Sequence, residues 1–113
     1  MISIYHNPRC SKSREGVSLL EASGKEFNTV LYLEEKLTFE ELESLIKKLD
    51  IAPLALVRQK ESIWIEHYKG KTLSDTEIIK AMVEHPKLIE RPIVVNGDKA
   101  VIGRPTEDIK RII

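Results

Sequence analysis

Cysteine is almost missing from this chain, which carries one residue, Cys10, in 113. A single thiol excludes an internal disulfide. The Cys and His spacings of a structural zinc site are also absent, so no bound metal is expected. Charge of one sign is not in excess either: 18 Lys plus Arg match 18 Asp plus Glu, for a net charge of zero. Without a broad basic field, nucleic acid is not an expected partner. Long apolar runs are lacking. The run that holds Pro53–Val57 falls far short of the ~20 residues that cross a bilayer. The first residues reach His6 and Arg9 before any signal-peptide core forms. A cytoplasmic protein with no membrane contact is the expectation.

What is present fits one globular domain over 1–113, since ~100 to 150 residues is the usual domain size. Apolar residues make up 42% and charged residues 32%, with the charge spread along the chain, which argues against disorder. No repeat, low-complexity tract or linker interrupts it.

Ile2–Tyr5 alternates apolar and polar and stops at Asn7-Pro8, a strand signature. From Ser11 the apolar Val17, Leu19, Leu20 and Ala22 follow a mainly helical spacing, and Gly24 supplies a left-handed stop. Phe27–Leu33 reads as a second strand, so the chain opens with a βαβ unit and a parallel pair. Capping boxes at Thr38/Glu41 and Ser74/Glu77 start two helices, one running to Leu49 and one closed by Pro86. Between them Pro53 opens a short helix through Val57, and Ile63–Tyr68 fits a short helix or a strand. Ile93–Val95, Asn96-Gly97 and Lys99–Ile102 form a hairpin pattern, and Pro105 opens a last helix through Ile113. The order is β-α-β, a helical insert, then β-β-α.

Chemistry concentrates at His6-Asn7-Pro8-Arg9-Cys10, between the first strand and the first helix. There Cys10 and the amides of Ser11, Lys12 and Ser13 crown a helix N-terminus, which favours both a thiolate and a bound oxyanion. Arg9, Lys12, Arg14 and His6 add positive charge, the setting in which a cysteine pKa falls. A lone thiol is either a small packed residue or a nucleophile, and this position favours the nucleophile. His6 reads two ways, as an electrostatic partner of the thiolate or as a half-buried residue meeting a carbonyl. His67 and His85 fall near helix ends, where a protonated imidazole suits the dipole, and Trp64 with Tyr68 at i, i+4 spacing covers the core. Arg58, Arg91 and Arg104 each stand at an element boundary. Converged on a thiolate, they would bind a tetrahedral oxyanion by charge-assisted hydrogen bonds; taken singly, each reads as solvated surface charge.

A family pattern runs through these residues. Tyr5-His6-Asn7-Pro8 with Cys10 and Ser13-Arg14, Leu31-Tyr32-Leu33-Glu34, Ala55-Leu56-Val57-Arg58, His85-Pro86, Arg91-Pro92-Ile93-Val94-Val95 and Arg104-Pro105 stand in one order along nearly the whole chain. The chain thereby resembles the glutaredoxin-coupled arsenate reductases, small thioredoxin-like proteins with one catalytic cysteine. The run Arg9-Cys10-Ser11-Lys12-Ser13-Arg14 is closest to a housekeeping branch of that family.

The resemblance implies an α/β fold, a thioredoxin-like mixed β-sheet flanked by helices, with a helical insertion between the βαβ and ββα halves and a cis bond before Pro92. It implies Cys10 as nucleophile, His6 as the imidazole that helps ionise it, and Arg58, Arg91 and Arg104 as oxyanion ligands. It implies reduction of arsenate to arsenite, with glutathione as co-substrate, glutaredoxin as partner, no bound cofactor and a monomeric enzyme. Two other functions use the same fold: an Spx-like regulator binding RNA polymerase, and a glutathione-dependent thiol transferase. Ser13 stands where the regulator's two-cysteine switch needs a second thiol, which ranks that reading below the reductase.

Overall fold

The computed structural model describes all residues, 1–113. By its contacts the chain divides into two compact units, Met1–Glu35 with Arg91–Ile113, and Lys36–Glu90.

The first unit is built on four short strands, β1 (Ile2–Tyr5), β2 (Phe27–Val30), β3 (Ile93–Asn96) and β4 (Lys99–Ile102), in the order β2-β1-β3-β4. β1 runs parallel to β2 and antiparallel to β3, and β3 is antiparallel to β4. The alternation read in β1 is real, with Ile2 and Ile4 buried and their neighbours half-buried. β3 instead is buried over Ile93, Val94 and Val95, which is why an interior strand there is a continuous apolar run.

Helix α1 (Ser11–Ser23) connects β1 to β2 and ends at Gly24 with φ +74, the left-handed stop that glycine adopts without steric cost. Ile2, Ile4, Leu20, Val94 and Ile109 form the core, with Val17, Leu19, Phe27 and Val101 packed against it. Each such aliphatic side chain contributes roughly 1.5 to 3 kcal/mol when fully buried.

Three expectations are corrected here. The second strand stops at Val30 instead of Leu33. Its partner β1 runs out of ladder at the Asn7-Pro8 loop, and the chain turns instead, with the Glu34 and Glu35 amides donating to the Leu31 carbonyl. The hairpin turn lies one residue later than read. Asn96 pairs with Lys99, leaving Gly97-Asp98 as the two turn residues with φ +66 at Gly97, the glycine-first pattern of a type II′ turn. Asn96 remains in the strand, where its Nδ2 donates to the Ile112 carbonyl at 2.6 Å. The last helix is a 3₁₀ segment, Thr106–Arg111, closed by i→i+3 bonds such as Asp108 N–H to Pro105 O, and it seats Ile109 in the core.

The second unit is helical, as its capping boxes indicate. In α2 (Phe39–Leu49) Thr38 Oγ1 accepts from the Glu41 amide at 3.1 Å while the Glu41 carboxylate accepts from the Thr38 amide at 3.0 Å. Ser74 and Glu77 repeat this at 3.2 and 2.9 Å before α4 (Asp75–Glu84). Between them lie a 3₁₀ turn at Pro53–Leu56 and α3 (Ser62–His67), which settles the Ile63–Tyr68 alternative as helix. Trp64 is buried and stacks on Tyr68 with ring centroids 5.2 Å apart. A second 3₁₀ turn, Pro86–Leu88, precedes a single antiparallel bridge between Val57 and Ile89. No helix is long and apolar enough to cross a membrane.

Candidate active site

Chain direction places Cys10 at the N-cap of α1. Asn7-Pro8 ends strand pairing, the Cys10 amide donates to the Asn7 carbonyl at 3.0 Å, and the Cys10 carbonyl accepts the Arg14 amide at 3.0 Å to begin the helix. No acidic side chain occupies the first turn of α1, so its positive end is left unneutralised beside the sulfur.

Two guanidiniums reach that sulfur from the far end of the sequence. Arg91 hydrogen-bonds the Cys10 side chain from the segment just before β3. Arg104, just after β4, points Nη2 at Sγ from 3.5 Å while its Nε donates to the Arg91 carbonyl at 2.8 Å. The two arginines are thus braced to one another through the antiparallel pair that carries them. Both precede prolines joined by cis peptide bonds, Arg91-Pro92 as the resemblance implied, and Arg104-Pro105 in addition. Pro92 also marks how closely the layers approach. A Cβ on Gly16 or on Gly103 would lie 3.0 Å from its Cγ, so glycine keeps α1 and the β4 exit tight against the Arg91-Pro92 segment.

Partial burial pushes the Cys10 thiol up, and several donors oppose it: the Ser13 amide, the Arg91 guanidinium, the Lys12 amide and the Arg91 charge. The donors prevail, and the thiol ionises below its ordinary value. The Cys10 side chain makes no capping hydrogen bond of its own, and the nearby Ser13 and Lys12 amides act on it by favouring its charged form.

His6 enters through Ser13. The fully buried Ser13 Oγ accepts the Asn7 amide at 3.0 Å and lies 2.6 Å from His6 Nδ1. That bond ties the ring to the loop that carries Cys10. Burial, and secondarily the Arg14 charge, hold the His6 pKa below its ordinary value, which favours the neutral ring. Its link to the cysteine loop runs through Ser13. The Ser13 side chain is what sequence reasoning missed: its amide and its place in the family pattern are read from the sequence, but its hydroxyl's bond to His6 is not, although a Ser three residues into a helix beside a His seven residues back is a readable hydrogen-bond pattern.

The structure thus brings Cys10, Arg91, Arg104 and His6 into one unit. Arg58 stands in the second unit, where its Nη1 lies 3.3 Å from Glu61 Oε2 and its Nε 3.2 Å from Glu90 Oε1. The Val57–Ile89 bridge sets that arrangement, with the Arg58 amide donating to Leu88 O at 2.7 Å and the Glu90 amide to Leu56 O at 2.9 Å. His67 ends α3 and His85 caps α4, each against Tyr68, as their places near helix ends suggested.

Comparison with known proteins agrees with this architecture. Residues 5–112 match the ArsC family. An uncharacterized protein of Escherichia coli, YfgD, is 47% identical, with 99% of this chain and 96% of that protein covered. An arsenate reductase of Haemophilus influenzae is 46% identical over 99% of this chain and 98% of its own. Among solved structures, an arsenate reductase from Vibrio cholerae superposes with a TM-score of 0.95 at 46% identity, covering 99% of this chain and 97% of that one. The mixed four-stranded sheet with its helices is the thioredoxin-like fold of these neighbours, and the chain belongs to the ArsC family.

Proposed function

We propose that the protein is a thiol-dependent reductase of arsenate, with Cys10 as nucleophile and Arg91 and Arg104 as the anion's ligands. The observation that carries this is the sulfur itself, an N-cap thiol 3.5 Å from the Arg104 guanidinium whose ionisation is favoured by Arg91 and by the Ser13 and Lys12 amides. Such a cluster favours a tetrahedral oxyanion for the same reason that it favours a thiolate. Relatives at nearly half identity carry the name arsenate reductase.

The chemistry proceeds in three exchanges. The Cys10 thiolate attacks arsenic, an S–As bond forms, and one arsenate oxygen leaves as water after protonation. A glutathione thiolate then attacks the Cys10 sulfur. An S–S bond forms, the S–As bond breaks, and its electron pair passes to arsenic, which leaves as arsenite. A further thiol, supplied by glutaredoxin, attacks the glutathione sulfur of the mixed disulfide and releases the Cys10 thiolate. Covalent catalysis here divides one difficult reduction into thiol exchanges. The chain has no second cysteine, so the electrons must come from outside it. The reduced thiols that this requires place the reaction in the cytoplasm. Arg58, the third arginine of the resemblance, enters the proposal on sequence grounds.

A coupled assay tests the proposal: arsenate-dependent NADPH oxidation with glutathione, glutaredoxin and glutathione reductase. Turnover that disappears in Cys10→Ser and falls strongly in Arg91→Ala supports it. Turnover no higher than the Cys10→Ser background, with folded protein and reduced thiol, overturns it and leaves thiol transfer as the better reading.

A further inference from the structure

No carboxylate precedes Glu15 in the chain. The cations of that opening stretch are Arg9, Lys12 and Arg14, and Arg91 and Arg104 join them at the sulfur. In a protein whose charges balance overall, the charged side chains beside Cys10 in the opening stretch are therefore all cationic up to Glu15.

These five cations are not equally engaged. Arg91 and Arg104 are on the sulfur. Arg14 Nη1 donates to the Pro8 carbonyl at 2.9 Å and closes the loop. Lys12 Nζ lies 3.4 Å from Glu15 Oε2 in a pair that is about half exposed. Arg9 differs from all of them. Its backbone amide is fixed by Asn7 Oδ1 at 3.0 Å, while its exposed guanidinium forms no hydrogen bond or ion pair, one residue from the nucleophile.

The inner cations serve the thiolate and a small oxyanion. The second reactant is different in kind: an external thiol or disulfide that must approach the same sulfur from solvent. We infer that Arg9, assisted by Lys12, selects this second reactant, favouring low-molecular-weight thiols and disulfides that carry carboxylates over neutral or cationic ones. The inference rests on Cys10 being a thiolate that exchanges with external thiols, and it does not require arsenate. An exposed charge close to the point of reaction acts mainly on encounter, so the selection is sensitive to salt.

The test uses disulfides as probes, without arsenate. The Cys10 thiolate attacks one sulfur of oxidised glutathione, a Cys10–glutathione S–S bond forms, the probe's S–S bond breaks, and the other half leaves as a thiolate with the electron pair. The same exchange is timed with bis(2-hydroxyethyl) disulfide, which is neutral, and with cystamine, which is cationic. The ratio of anionic to neutral rates cancels changes in the thiolate fraction, because that fraction multiplies both.

Arg9→Gln is expected to lower the ratio roughly two- to fivefold, the effect of one exposed charge. Arg9→Glu should lower it further and favour cystamine, Arg9→Lys should preserve it, and about 1 M salt should flatten it in the wild type. A ratio unchanged in both Arg9→Gln and Arg9→Glu overturns the inference, as does failure of Cys10 to exchange with any of the three probes. Arsenate-dependent turnover on the same preparations separates the two readings. Unchanged selectivity with turnover present removes the role of Arg9 alone, and shifted selectivity without turnover removes arsenate alone.

Discussion

Arg91 and Arg104 in the first unit and Arg58 in the second share a side chain and differ in company. The first pair faces a sulfur at a helix end that has no acidic residue in its first turn. Arg58 faces the carboxylates of Glu61 and Glu90, and all three side chains are about a quarter exposed. A guanidinium with two carboxylates is neutralised locally and fixes a bridge between two segments. Arg104, held by the Cys10 sulfur and the Arg91 carbonyl, retains charge for a ligand. The difference shows that an arginine's chemistry is set by whether the fold supplies it with an acid, which the residue type does not reveal.

The comparison breaks most readily at Arg91. Arg91→Ala is expected to lower arsenate turnover roughly 10²-fold, the usual loss when one preorganised donor is removed. It should also raise the pH at which Cys10 becomes alkylatable, because both a hydrogen bond and a charge favouring the thiolate are lost. Parallel rate–pH profiles of iodoacetamide labelling check the second effect. An unmoved profile would show that the helix amides and Arg104 suffice to ionise the sulfur.

Ser13→Ala should come next. It leaves the Asn7 amide and His6 Nδ1 without their shared partner in a buried site, which costs roughly 1 to 3 kcal/mol. Denaturant unfolding measures this. The His6 pKa is lowered in the folded state, so the unfolded chain binds the proton more readily. The wild type therefore has the full contribution of His6 above the ordinary imidazole pKa of ~6.5 and loses stability as pH falls below it. Burial and the Arg14 charge, which cause that lowering, remain in Ser13→Ala, so the pH dependence should persist there while the overall stability falls.

The smallest effect is expected in the second unit. Glu90→Gln removes one of two acids from Arg58 and should cost about 1 kcal/mol or less, declining with added salt, because the pair remains partly in water. A loss of several kcal/mol would show that the Arg58 cluster, and not the helical packing of α2 and α4, is the main support of that unit.

Local patterns were legible in the sequence and distant ones were not. Both capping boxes, the α1 stop at Gly24 and the place of Cys10 at a strand-to-helix junction follow from residues within a turn of one another. The hairpin was found but displaced by one residue, since Asn96-Gly97 and Gly97-Asp98 are both good turn pairs, and the choice was made by Asn96 bonding to Ile112, sixteen residues away. β2 ended early because its partner did, a property of another segment. At the site, the helix amides beside Cys10 were readable from position. The approach of Arg91 and Arg104 came from the resemblance, since sequence spacing alone left them as surface charge. The i+3 partner of Arg58, Glu61, is a helical-spacing signal, whereas Glu90 needed the Val57–Ile89 bridge. Ser13 went unread because its two partners lie on the other side of the cysteine loop.

The central claim, an ionised Cys10 within an oxyanion site, is tested most directly by following iodoacetamide labelling of the wild type across pH with and without arsenate and no added thiol. A labelling midpoint below the ordinary thiol value, with arsenate slowing the reaction in a saturable manner, is the predicted result. A midpoint at the ordinary thiol value, with labelling indifferent to arsenate, would contradict it.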